Sequence, residues 1–273
     1  MVQAASPYPK TRNRRLLGLQ GAATTFVFAL ALIAVWEAIV RVFAIPLYII
    51  PPPSRIAFQF GRNYPRIFEY TLVTTGETLS GFAAAIIFGI PLALLIAFSP
   101  FLRRTLYPLA VTIEMIPKIV FAPVFVTWFG FGFTPKILIV FLVCFFPILL
   151  NSILAFTSLA VDLHRFCLST GAGPITTFFK VRLPAAMPQL FVGLKGAAVN
   201  AAVGAVISEW IGGDAGLGYY IQIATGDLRM DLAFAVIVML AALGLGLFGL
   251  VQLIERWQIP WHVSQRRVES DDV

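Results

Sequence analysis

Charge is scarce in this chain: 12% of its 273 residues are Asp, Glu, Lys or Arg, half of the roughly 25% usual in a soluble domain, while 59% are hydrophobic. A chain so poor in charge cannot keep a water-facing surface over this length. That excludes an ordinary globular enzyme or binding module and leaves one helical bundle whose solvent is largely lipid. Reactive side chains are also few. The two cysteines, Cys144 and Cys167, lie in an apolar run and a loop, without disulfide or metal spacing. The two histidines, His164 and His262, stand far apart with no ligand pattern, so no metal is expected. There is no Gly-x-x-x-x-Gly-Lys-Ser/Thr loop, no Gly-x-Ser-x-Gly elbow and no His-Glu-x-x-His run, which argues against nucleotide hydrolysis and covalent catalysis on this chain. Gly244-Leu245-Gly246-Leu247-Phe248-Gly249 matches a dinucleotide fingerprint in letters alone, since it sits inside an apolar run with no preceding strand; close helix packing is the better reading.

What the chain does have is long apolar runs. Roughly 20 such residues cross the hydrocarbon of a bilayer, and about six segments qualify: 21–43, 71–98, 105–128, 135–156, 188–211 and 232–255. The expected organisation is an all-α polytopic bundle over 21–255, with an N-terminal tail over 1–20, a polar loop over 157–184 and a C-terminal tail over 256–273. The basic start Lys10, Arg12, Arg14, Arg15 resembles a signal peptide, but the run behind it is too long for one and reads as a retained first span. The net charge of +7 comes from short Lys/Arg clusters beside apolar runs, which orient a membrane protein and imply no nucleic-acid partner. Their bias puts both termini, and the 157–184 loop, in the cytoplasm.

Several polar residues stand out against this background. Glu114 and Lys118 are four apart beside Pro117; they read equally well as an ion pair at a helix break or as polar lining of a path. The run around Asn200 in the fifth span is unusually rich in Gly and Ala, which favours close packing, with Asn200 facing a lumen as the sharper alternative. Glu209, next to Trp210, is expected to be an interfacial anchor, with a gate or a docking contact as the alternative; Trp128 has the same ambiguity. In the loop, Phe166, Ile175, Phe178 and Phe179 are spaced for a short amphipathic helix at the membrane face.

The segment from Gly171 through Ala172 to Leu183-Pro184 resembles the cytoplasmic signature loop of binding-protein-dependent ABC permeases. Gly171, Val181, Leu183 and Pro184 fall on that family's spacing, whereas Arg165, Phe166 and Cys167 stand where it carries Glu-Ala-Ala. Thr78-Leu79-Ser80-Gly81-Phe82, Ile116-Pro117-Lys118, Trp128-Phe129-Gly130-Phe131-Gly132 and Ile207-Ser208-Glu209-Trp210-Ile211-Gly212 are similar to the nitrate/sulfonate/taurine branch, which also includes pyrimidine-precursor and riboflavin importers. The resemblance implies a type I importer fold and a multi-pass protein of the bacterial inner membrane. It implies two permease copies as a homodimer, cytosolic ABC ATPase subunits that carry the ATP and Mg, and a periplasmic or lipid-anchored binding protein. The loop residues Arg165, Phe166, Cys167, Gly171, Ala172, Ile175, Phe178, Phe179, Leu183 and Pro184 would then form the ATPase-coupling segment. Glu114, Lys118, Trp128, Asn200 and Glu209 are the candidates for the translocation path. Scarce basic residues in the spans lean towards an aromatic or weakly charged solute rather than an inorganic anion. A secondary transporter or channel working without an ATPase is the competing class; such proteins usually show internal inverted repeats, and none is visible between the halves.

Overall fold

A computed structural model describes residues 14–158, 167, 169–171 and 173–261, with side chains from residue 24 onward. Every regular element among the described residues is helical. The elements are α1 (Arg14–Val42), α2 (Pro53–Phe98), α3 (Pro100–Glu114), a 3₁₀ turn (Lys118–Val120), α4 (Phe121–Phe129), α5 (Phe133–Thr157), α6 (Pro174–Thr177), a π-turn segment (Phe178–Arg182), α7 (Leu183–Gly212), α8 (Leu217–Gly226) and α9 (Met230–Gln258).

Five helical stretches are long and apolar enough to cross a membrane: Thr24–Val42, Pro53–Phe98, Phe133–Thr157, Pro174–Gly212 and Met230–Gln258. The pair Pro100–Glu114 and Lys118–Phe129, bent by 79° at its break, meets the same criterion only as a unit, as a broken span or a re-entrant loop. Five spans, or six with the bent pair counted as one, accord with the hydropathy of the sequence.

One span differs in shape from the expectation, and another is broken where its proline stands. α2 starts at Pro53 rather than near 71 and runs for 46 residues, about 69 Å at 1.5 Å per residue. That is twice the hydrocarbon thickness, so its polar first half, with Arg55, Gln59, Arg62, Asn63 and Arg66, projects beyond the apolar layer. Pro53 suits the first helical position, because its missing N–H has no partner to lose there. The third span is broken because Pro117, in extended backbone at ψ 115°, cannot continue α3 and opens the next turn instead.

The core sits where α2, α5 and α7 meet. Ala85, Val140, Cys144, Ala197, Ala198, Ala201 and Ala205 are fully buried there. Water drives none of this association inside lipid, so close backbone approach and dispersion contacts carry it, and small residues permit that approach. Gly81 shows the constraint: a Cβ added to it would lie 2.5 Å from Cβ of Val140. α1, by contrast, is almost wholly exposed along its described side chains. It is tied to the start of α2 by Glu37, which accepts hydrogen bonds from the Ser54 hydroxyl (2.7 Å), the Ser54 N–H (3.0 Å) and Arg41 Nε (2.6 Å).

Gly81→Val should force α2 away from α5. Overpacking of this kind costs about 1–3 kcal/mol, and the purified protein in detergent should unfold at a lower temperature than wild type. Unchanged thermal stability would show that the two helices are not in this contact.

Candidate functional site

One end of the bundle is organised by a carboxylate. Glu209, near the end of α7, is fully buried. It accepts hydrogen bonds from Thr74 Oγ1 of α2 (2.6 Å), from the N–H of Gly218, and more weakly from the N–H of Tyr219 (3.4 Å). The two N–H groups belong to the first turn of α8, whose leading donors have no partner within the helix. Glu209 therefore caps α8 from another helix, where the helix dipole also favours a negative charge. Thr74 completes the arrangement, its hydroxyl oxygen accepting from the Leu217 N–H at 2.8 Å.

The glycines of the loop follow from this geometry. Gly216 has φ +120°, a backbone region disfavoured for residues with a side chain, and a Cβ there would fall on the Glu209 carboxyl. Trp210, half-exposed, donates from Nε1 to the Gly218 carbonyl at 3.0 Å and closes the loop from the outside.

Lys136 of α5 joins the same assembly. It is 3% exposed, and its Nζ lies 3.0 Å from Glu77 Oε1 of α2 and 3.5 Å from Asp214 Oδ1 of the loop, while donating to the Ala215 carbonyl at 3.2 Å. Two further lysines in the spans have carboxylate partners. Lys118 Nζ lies 3.0 Å from Glu114 Oε2, donates to the Glu114 carbonyl, and stands 5.5 Å from the centre of the Phe146 ring. Lys195 of α7 pairs with Glu255 of α9 at 2.8 Å.

The sequence-derived path residues are thus dispersed. Glu209 is sealed inside the bundle, whereas Glu114 and Lys118 are partly buried at the broken span. Trp128 at the end of α4 is 70% exposed, and Asn200 of α7 is also exposed. The structure brings Glu209 together with Thr74, Glu77 and Lys136, none of which the sequence had marked. The available signal was a lone glutamate within the apolar run of α2, since an uncompensated charge there is costly.

At the other end of α7, the chain between α5 and α7 ends in a helical projection. Phe178 packs against Phe98 and Phe156, with ring centres 5.3 and 6.3 Å away. Ile175 and Phe179, four residues apart on one face, are 75% and 62% exposed. Leu183 and Pro184 are half-buried where α7 begins, and Cys167 is buried. Gly171 is exposed with φ +68°, a left-handed conformation that suits glycine. Arg165, Phe166 and Ala172, expected in the coupling segment, lie outside the described residues, as do residues 1–13 and 262–273 of the two tails.

A multi-span bundle whose three span lysines each face a carboxylate, with an apolar knob projecting from one end, defines an integral membrane protein. More narrowly, residues 85–259 match the model of the family described as binding-protein-dependent transport system inner membrane component, and the chain belongs to that family. It is 33% identical over 224 residues to a probable ABC transporter permease protein of Haemophilus influenzae, covering 80% of this chain and 89% of that protein. It is 31% identical to the formylaminopyrimidine transport permease protein ThiX of Halalkalibacterium halodurans, over 88% of this chain and 96% of that one. It is 32% identical to the riboflavin transport system permease protein RibX of Chloroflexus aurantiacus, over 87% and 90%. Among solved structures, an inward-facing form of the MetNI methionine ABC transporter shares the fold, with a TM-score of 0.56 at 18% identity over 71% of this chain and 95% of that chain. Among the described residues no cluster of His, Cys, Asp and Glu could hold a metal.

Two substitutions test the cap. Thr74→Val removes both a donor to Glu209 and the acceptor for Leu217 N–H, and leaving such buried groups unmet costs about 1–3 kcal/mol. Gly216→Ala should destabilise further, because the backbone strains and the carboxyl is displaced together. Thermal unfolding in detergent would contradict the assignment if both variants matched wild type.

Proposed function

We propose that the chain is the permease subunit of an ATP-driven importer of small solutes in the bacterial cytoplasmic membrane, with both ends inside the cell. Two copies, as a homodimer, would enclose the path. ATP and Mg would bind separate cytosolic ABC ATPase subunits, and a periplasmic or lipid-anchored binding protein would deliver the solute. The family match supports this reading, and the observation that carries it into the structure is the projecting segment 174–182. An isoleucine and a phenylalanine held exposed on one helical face are what a groove on a partner would cover. Phe178, anchored on Phe98 and Phe156, ties that face to α2 and α5, so that a push on the segment is delivered to the bundle as a rigid-body motion. The bent α3–α4 pair is the feature a secondary transporter would share, but the sequence shows no repeat between its halves of the kind usual in that class.

For the path we propose the polar and aromatic groups of the broken span, Glu114, Lys118 and Trp128, with Asn200 of α7. The substrate class that fits best is a neutral or weakly charged heterocycle, of the kind named for the ThiX and RibX relatives. Its physical support is that Lys118, Lys136 and Lys195 each face a carboxylate, so the spans offer an inorganic anion no uncompensated cation among these three. Stimulation of the reconstituted complex's ATP hydrolysis by nitrate or a sulfonate would overturn this substrate reading and leave the importer reading intact.

The importer reading is tested by co-purification with the ATPase. Wild type should bring the ATPase down from detergent extracts. Ile175→Asp with Phe179→Asp should weaken the association by about 2 kcal/mol or more, close to 30-fold, as for the anchors of an interface. Gly171→Arg, strained by its positive φ, should weaken it as well. A wild-type protein that purifies alone and still moves solute would replace the importer by a secondary transporter.

A further inference from the structure

The contact between α2, α5 and α7 seals two carboxyl groups against one ammonium. Glu77 and Glu209 are both fully buried, and Lys136 is nearly so. Their surroundings differ. Glu209 receives hydrogen bonds from Thr74 Oγ1 and from the α8 N–H groups. Glu77 has Lys136 Nζ 3.0 Å from Oε1 as an ion, yet neither of its oxygens receives a directed hydrogen bond from a described residue. Thr74, which donates to Glu209 at 2.6 Å, stands three residues before Glu77 on the same face of α2, so the two carboxyl groups share one contact.

The charged neighbours of the pair come from each packed element. α5 contributes Lys136. The loop after α7 contributes Asp214, 3.5 Å from the lysine Nζ and 85% exposed, so water serves it. α8 contributes backbone N–H groups, and α2 adds the hydroxyl of Thr74. Two ionised carboxylates are acceptors only and cannot hydrogen-bond to each other. Two negative charges against one positive charge would also leave a net charge in a medium of low dielectric, where an uncompensated charge is expensive.

We propose that Glu77 and Glu209 bind one proton between them. Glu209, whose donors are those of an ionised carboxylate, keeps the cap of α8. The carboxylic O–H of Glu77 donates to it, and Lys136 offsets the single remaining negative charge. The cluster is then neutral, and every carboxyl oxygen in the contact has a use. Loss of the proton to alkaline solvent would press two like charges together at the junction of α2 and α7. The attachment of the 213–218 loop and of α8 therefore depends on occupancy of this site, independently of how transport is powered.

The test is infrared spectroscopy of the full-length permease in lipid nanodiscs, with difference spectra between neutral and alkaline pH. Wild type should show a carbonyl stretch of a protonated carboxylic acid that is lost at the alkaline end. Because the proton is shared, Glu77→Gln and Glu209→Gln should each abolish that band completely. Two carboxyl groups protonated independently would each keep their own part of it. Glu77→Gln is the variant expected to stay folded, since its amide can donate to Glu209 in place of the acid O–H, and gel filtration reports whether it does. The proposal is overturned by a wild type without the band, or by a band that persists in folded Glu77→Gln.

Discussion

Each charged and hydrogen-bonding group inside this bundle has to find its partner in the chain itself, because lipid supplies none. The same device appears twice, once at the exposed edge of the bundle and once inside it. Glu37 of α1 receives the N–H of Ser54 at the start of α2, and Glu209 of α7 receives the N–H groups at the start of α8. In both cases a carboxylate from the preceding helix meets donors that the next helix cannot satisfy within itself, at the end where its dipole is positive. The cap fixes the angle at which the chain re-enters the bundle, and the helices that follow inherit that angle. At the second cap, Thr74 and Lys136 add ties from α2 and α5, so that four elements meet on one carboxylate and its neighbours.

Neutralisation and shape then divide the work. Lysines paired with glutamates hold α2 to α5 and α7 to α9, while buried alanines and Gly81 let backbones come close enough for dispersion to act. The result is a rigid centre of α2, α5, α7 and α8. What is left exposed lies around it: α1, the bent α3–α4 pair and the projection bearing Ile175 and Phe179. A mechanism that flips the bundle between two packings needs this contrast, since a push applied at one projection is transmitted only by parts that do not yield.

The spans were legible because hydropathy acts over some twenty residues and depends little on tertiary context. The break at Pro117 was legible too, since proline denies the helix a donor wherever it falls. The early start of α2 was not. Residues 53–70 carry Arg55, Arg62 and Arg66, and a polar helix projecting from the bilayer has no apolar signature. The pairing of Glu209 with Thr74 spans 135 positions, and nothing local in either residue announces the other. The run Gly212-Gly213-Asp214-Ala215-Gly216-Leu217-Gly218 has the composition of a loop, but Gly216 and Gly218 acquire their meaning only when a buried carboxyl is placed where their side chains would have been. Glu77 and Lys136 escaped for the same reason: each looks like an isolated charge, one within a span and one at a span edge, until the fold sets them 3.0 Å apart.

The claim on which the rest depends is that the Glu209 carboxylate holds α8 in place. The most direct measurement is amide hydrogen exchange, read by mass spectrometry on wild type and Glu209→Ala in nanodiscs. Loss of the cap should open Leu217–Gly226, and peptides there should exchange at least tenfold faster, a change of about 1.4 kcal/mol in local opening, while the centre of α5 keeps its protection. Equal protection of α8 in the two proteins would contradict the account.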